Sequence, residues 1–149
     1  MPVIFSKSCE YALQAVLFLA AKGDGHPVPL QEIAESLHIP HHFLSKTLQT
    51  LTRHEVLLSH KGLNGGFELR KPDSKVTLMD VVRAIDGEAF LDHCVLGFPG
   101  CGGASPCPVH SHWKESRDIV LNMLQNNSIA YLSKTLDKKL NLIESLSRG

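Results

Sequence analysis

Residues 30–69 constrain this chain most, because the hydrophobic period changes from helical to alternating inside that one segment. The stretch LQEIAESL puts Leu30, Ile33, Ala34 and Leu37 on one helical face. His38-Ile39-Pro40 interrupts it, and Pro40 suits the first turn of a new helix, where an N–H would have no helical partner. The second helix is predicted over about 41–54. Phe43, Leu44, Thr47, Leu48 and Leu51 face inward, while His42, Ser45, Lys46, Gln49 and Arg53 face outward. A short helix, a tight turn and a longer helix with a polar outer face form a helix-turn-helix pattern. An ordinary helical hairpin gives the same hydrophobic signal, and residues 56–69 separate the two. Val56-Leu57-Leu58-Ser59 reads as a short strand, KGLNGG over 61–66 as a turn, and Phe67-Glu68-Leu69 as the returning strand. A two-stranded hairpin directly behind such a helix is a wing. Lys61 stands at its tip, with Arg70 and Lys71 at its base, where they can reach phosphate or the minor groove.

The flanking segments are helical. Residues 8–21 carry a wide apolar stripe (Ala12, Leu13, Ala15, Val16, Leu19, Ala20, widened by Phe18), which predicts a buried helix, partly covered by a second subunit. Thr77 and Asp80 form a capping box ahead of Leu78, Val81, Val82 and Ile85, and Gly87 stands at the C-terminal cap. A long helix is predicted over about 106–126, with Trp113, Ile119, Val120, Met123 and Leu124 apolar. Its length of about 30 Å needs another molecule to cover it, so it reads as a dimer helix. Ser128 caps a shorter helix to about 136, and the tail carries Leu140, Ile143 and Leu146 at amphipathic spacing.

Between these helices lies CVLGFPGCGGASPCPVH, residues 94–110, which holds three of the four cysteines. Cys94, Cys101, Cys107 and His110 give the spacing C-x6-C-x5-C-x2-H. Glycine and proline fill the gaps, so this is a loop. Cys107 and His110 are three residues apart at the predicted start of a helix and can face one point, and the glycine-rich loop can fold the other two thiols over it. Such a set can hold zinc as Cys3His or an iron–sulfur cluster. Three incidental thiols would need small apolar niches that this loop does not offer.

Charge is informative only when divided along the chain. The formal net charge is zero. Residues 38–75 nevertheless hold six basic side chains (Lys46, Arg53, Lys61, Arg70, Lys71, Lys75) against Glu55, Glu68 and Asp73, with five histidines besides. The predicted helix-turn-helix and wing are therefore locally basic, as nucleic-acid binding requires. No apolar run is long enough for a membrane span, and the first residues lack a signal-peptide layout, so the chain is expected in the cytoplasm, where clustered thiols bind metal more often than they form disulfides. No catalytic constellation or phosphate-binding glycine loop stands out, so no enzyme activity and no small-molecule substrate are expected.

Taken in order, SCEYALQAVLFLA, VPLQEIAESLHIPHHFLSKTLQTL, LLSHKGLNGGFEL, VTLMDVVRAIDG and PCPVHSHWKESRDIVLNML resemble an IscR/NsrR-type winged-helix regulator, of the Rrf-two family, over about residues 3–136. The resemblance implies a mainly α (α+β) fold. It has a winged helix-turn-helix over 1–87 with a two-stranded β wing, a cysteine-rich cluster loop over 88–110, and a long C-terminal dimerisation helix with its tail over 106–149. It implies a cytoplasmic homodimer that binds double-stranded operator DNA under the control of an iron–sulfur cluster sensing redox state, iron or cluster supply, or nitric oxide. By position, Cys94, Cys101 and Cys107 would be cluster ligands. His110 stands where one branch has a ligating histidine, which goes with [2Fe-2S], the favoured cluster. Glu10 stands where another branch takes an acidic ligand from the partner subunit, which goes with [4Fe-4S], and Cys9 beside it could reach the same loop. The first cysteine gap is one residue longer than the family's usual five, and lysine replaces the frequent arginine at position 61. DNA contacts would come from His41, His42, Ser45, Lys46 and Gln49 on the helix and from Lys61 on the wing. A zinc- or thiol-based regulator, and an iron–sulfur electron carrier without DNA binding, are the alternatives.

Overall fold

The computed structural model describes residues 4–23, 25–70, 73–89, 91–100 and 104–148. Helix α1 (Lys7–Lys22) is the central strut, packed against α3, α4 and α6. Ser6 starts it, its hydroxyl accepting the Cys9 N–H. The helix-turn-helix is α2 (Leu30–Leu37) and α3 (His41–Arg53). Between them His38 is left-handed at φ 57°, so that the Ile39 N–H closes on the Ala34 carbonyl and Ile39 is buried. Pro40 stands one place earlier than expected, as the residue before α3 and not its first turn.

Strands β1 (Leu57–His60) and β2 (Gly66–Leu69) pair antiparallel with Leu57 opposite Leu69. These two residues are buried and root the hairpin in the core, which leaves the 61–64 tip exposed. The wing is also held from the side. Val28 and Phe67 exchange both backbone hydrogen bonds, at 2.8 and 2.9 Å. Beyond β2, a 3-10 turn (Asp73–Lys75) leads to α4 (Leu78–Asp86), which opens on the expected reciprocal capping box of Thr77 and Asp80. Lys71, expected at the wing base, lies outside the described residues.

Helix α5 (His110–Gln125) is shorter than predicted. Its 16 residues correspond to about 24 Å, because Pro106 and Pro108 hold the approach in an extended-and-turn path up to Val109. Then come α6 (Ile129–Ser133), capped by Ser128, and α7 (Asp137–Ser147). The latter returns to α2 and joins α1 through a 2.8 Å Lys22–Asp137 pair.

Two buried clusters result. The larger joins Val16 and Leu19 of α1, Ile33 and Leu37 of α2, Leu44, Leu48 and Leu51 of α3, and the wing roots. The smaller is Cys9, Met79, Val82 and Leu124, where α1, α4 and α5 meet. One inward assignment fails. Phe43 is 46% exposed, because the buried arc of α3 runs through Leu44, Thr47, Leu48 and Leu51 and Phe43 lies beyond its Thr47 edge, about 90° from its centre. Its ring instead meets Tyr11 edge-on at 6.2 Å.

Candidate nucleic-acid face and cysteine site

On α3, one face is core and the other is open. His41, His42, Lys46 and Gln49 are exposed and Ser45 is half-buried, so the predicted contacts share the outward side of one helix. Gln49 Nε2 donates to Ser45 Oγ at 3.4 Å, which links the polar positions along that side. Thr47 belongs to the inner side, and its hydroxyl donates to the Phe43 carbonyl at 3.0 Å. At 13 residues, α3 is about 20 Å long and fits lengthwise into a major groove about 12 Å wide. Lys61 is exposed at the wing. Arg70 at the wing base is exposed as well, and its guanidinium donates at 3.2 Å to both the carbonyl and the carboxylate of Glu55. On the wing flank, His60 Nε2 and Glu68 Oε1 are 2.7 Å apart.

At the other end of α4 the chain enters the cysteine loop. Cys94 is 7% exposed and Cys107 half-buried, and their sulfurs stand 3.5 Å apart. Thiolates on one tetrahedral ion, each at about 2.3 Å, lie roughly 3.8 Å from each other, so the pair has the spacing of ligands to a common metal. His110 is half-buried as the first residue of α5, and its N–H meets the Cys107 carbonyl at 3.0 Å. Cys107 itself lies in the turn before the helix. Trp113, the only tryptophan, pins the two halves of the loop together: its indole Nε1 donates to the His93 carbonyl, next to Cys94, at 3.2 Å. Among the described residues no three His, Cys, Asp or Glu side chains converge on a metal position. Cys101, the remaining thiol of the predicted set, lies outside the described residues.

Glu10 is half-buried on the first turn of α1, 3.9 Å from Lys7. Cys9 beside it is withdrawn. Its expected reach toward a partner's loop is closed off, because the side chain is fully buried under α4 and α5. Burial above all, then the charge and hydrogen bonding of Asp86 and the charge of Glu10, push its thiol up to about 12, so it remains protonated. Asp86 is the residue that sequence reasoning missed. It accepts from Ser6 at both backbone and side chain across 80 positions of sequence. Only the Ser6 cap, three residues before Cys9, left a local trace.

Exposed apolar side chains gather at the loop and on α5: Val95, Leu96 and Phe98 in the loop, Ile119 and Met123 on the helix. Among the described residues, no helix is long and apolar enough to cross a membrane.

The family model described as Rrf2, iron-dependent transcriptional regulator, matches residues 5–135. An HTH-type transcriptional regulator of Aquifex aeolicus is 32% identical over 140 residues, 93% of this chain and 96% of its own length. The HTH-type transcriptional regulator IscR of Escherichia coli is 30% identical over 123 residues, 83% of this chain and 75% of its own. Among solved structures, CymR, the global cysteine regulator of B. subtilis, superposes with a TM-score of 0.74 at 22% identity, covering 89% of this chain and 98% of that one. That last likeness is one of fold.

Proposed function

The chain belongs to the Rrf2 family of transcriptional regulators, and on that premise we propose that it is a homodimeric operator-binding regulator controlled by an iron–sulfur cluster. The observation that carries the reading is the 3.5 Å approach of Cys94 and Cys107 at the foot of α5. In this reading Cys94, Cys101, Cys107 and His110 hold the cluster, with [2Fe-2S] favoured. Glu10 of a second copy replaces His110 if the cluster is [4Fe-4S]. The cluster supplies a tie between loop and helix that changes with redox state or iron supply.

The chain's own residues supply the remaining parts. Ile119 is 71% exposed and Met123 47%, so α5 offers an apolar face to a second copy. Dimerisation sets two α3 helices about 34 Å apart, the spacing of half-sites one turn apart on DNA. Lys46 and Lys61 neutralise phosphate, while His41, His42, Ser45 and Gln49 meet base edges or backbone. Shifting the foot of α5 alters the half-site spacing, and small displacements suffice because both helices must fit at once. Action on an operator puts the protein in the cytoplasm.

A second reading rests on the same two sulfurs. Closing their gap by about 1.5 Å would make a disulfide, so a thiol switch without metal is compatible with the site. Anaerobic purification separates the two. A brown protein with visible absorbance and acid-labile sulfide is expected. His110→Ala should change the spectrum and Glu10→Ala should leave it intact. A colourless protein, whether it carries stoichiometric zinc or a Cys94–Cys107 link on oxidation, refutes the cluster. Affinity for its own promoter region should fall steeply with salt, and salt-independent binding would refute the DNA-binding assignment.

A further inference from the structure

Asp86 ends α4, and the chain leaves it for the loop that carries Cys94. Yet its carboxylate caps another helix. Ser6 N–H donates to Oδ2 at 2.9 Å and Ser6 Oγ to Oδ1 at 2.5 Å, while the same Oγ accepts the Cys9 N–H at 3.1 Å. The start of α1 is therefore hung on the end of α4. Helix-capping contacts are normally local, and this one joins positions 80 residues apart.

Its surroundings give the link a direction. Beside it lies the small cluster of Cys9, Met79, Val82 and Leu124. Leu124 is the one buried side chain of α5, so the helix that begins at His110 is seated on the DNA-binding half at this point. From there α1 runs directly against α3. A displacement of α5 reaches the DNA-binding half at the α1–α4–α5 junction, where Leu124 is its buried anchor, and from that junction both α1 and α4 pack against α3. Within that junction, the Ser6–Asp86 bonds add a polar tie between the first turn of α1 and the end of α4 to the apolar packing of the two helices.

We propose that Asp86 is a positioning residue that couples the cysteine loop to the DNA-binding face by holding the first turn of α1 on the end of α4. The proposal rests on the regulator reading above. It predicts that weakening the Ser6–Asp86 bonds uncouples the two ends of the molecule while leaving each intact. Asp86→Asn keeps the shape and leaves one oxygen for the Ser6 N–H, but it removes the charge and turns the acceptor that faces the Ser6 hydroxyl into a donor. Ser6→Ala removes the hydroxyl arm without changing charge.

The experiment compares full-length wild type, Asp86→Asn and Ser6→Ala, each with and without cluster, for binding to a duplex of the protein's own promoter. Visible absorbance and electron paramagnetic resonance record the cluster. Coupling between two sites usually spans about 5- to 150-fold in affinity. Wild type is expected in that range, and Asp86→Asn should bring the ratio of loaded to cluster-free affinity within about twofold of one with the cluster spectrum unchanged. Ser6→Ala should lower the ratio less far, and it decides the matter if Asp86→Asn does not fold. A wild-type ratio retained in a folded variant overturns the coupling role alone. A wild type that binds equally in both states overturns the regulator reading, and this inference with it.

Discussion

Gly66→Ala should unseat the wing from the body of the protein. Gly66 opens β2 at φ +145°, where a Cβ would stand 2.3 Å from the Val28 carbonyl oxygen and 2.8 Å from the Pro29 nitrogen. Both neighbours are backbone, so neither can rotate away, and the strand must retreat by about 1 Å to reach ordinary contact. The adjacent Val28–Phe67 pair, bonded at 2.8 and 2.9 Å, cannot survive that retreat. Two lost hydrogen bonds at about 1 kcal/mol each, with about 1 kcal/mol of residual backbone strain, give a destabilisation of about 3 kcal/mol. For a chain of this length that lowers the melting midpoint by roughly 10 °C. Gly62→Ala is the matched control. Its φ is +99° but nothing lies within 4 Å, so only the conformational cost of about 1 kcal/mol applies, a fall of roughly 3 °C. Circular dichroism melts of the two variants measure the difference. Filter-binding to promoter DNA should show Gly66→Ala weakened at least tenfold, with its metal content unchanged. If the two alanine variants melt within 2 °C of each other, the close approach at Val28 is not what seats the wing.

Single contacts carry three further outcomes. Trp113→Phe removes the indole N–H held by the His93 carbonyl, so a metal bound at the proposed site should be lost to a chelator several-fold faster. If the proposed cluster assembles at this loop, reconstitution should quench the emission of this lone tryptophan, and unchanged emission in a reconstituted protein would refute a cluster at this site. Cys9 ionises near 9.0 when unfolded and at about 12 when folded. The unfolded chain thus releases that proton first, and stability, whole below pH 9, should decline as pH rises from about 9 toward 12, by at most about 4 kcal/mol. Urea titrations of wild type against Cys9→Ala isolate that slope, and parallel curves would refute it. Glu55 is left-handed at φ 62° where glycine costs nothing. Its exposed pair with Arg70 contributes under about 1 kcal/mol, and the Arg70 bond to its carbonyl survives substitution, so Glu55→Gly should raise the urea midpoint slightly.

The parts of this fold that were legible in the sequence are those in which a local rule and a tertiary contact demand the same residue. Leu44, Leu48 and Leu51 repeat at helical spacing and are also the side chains that α1 covers. The glycines of KGLNGG mark a turn, and Gly66 is also where the wing meets Val28. The errors fall where only one demand operates. Phe43 is apolar, but its arc carries it off the core and onto Tyr11. Helix α5 begins late because two prolines interrupt an apolar pattern that by itself would continue toward the N-terminus.

Cysteine shows why the candidate site was only partly legible. Cys9 and Cys94 are both nearly inaccessible, at 0% and 7% exposure. The first is enclosed by Met79, Val82 and Leu124 with a carboxylate nearby, an environment that keeps a thiol protonated and a poor ligand. The second has another sulfur 3.5 Å away and a glycine- and proline-rich loop around it, an environment suited to a shared soft metal. What distinguishes them is the neighbour contributed by a distant segment: Asp86 for one, Cys107 for the other. A thiol's local sequence reports its spacing from other thiols but not which element closes over it. The Ser6–Asp86 bonds belong to the same class of contact, and they tie the helix that carries Glu10 to the end of α4, from which the cysteine loop departs. If the proposed cluster is bound by a dimer, its fourth ligand depends on how α1 and the loop are placed there, and a variant that releases α1 from Asp86 should disturb a Glu10-ligated cluster while sparing a His110-ligated one.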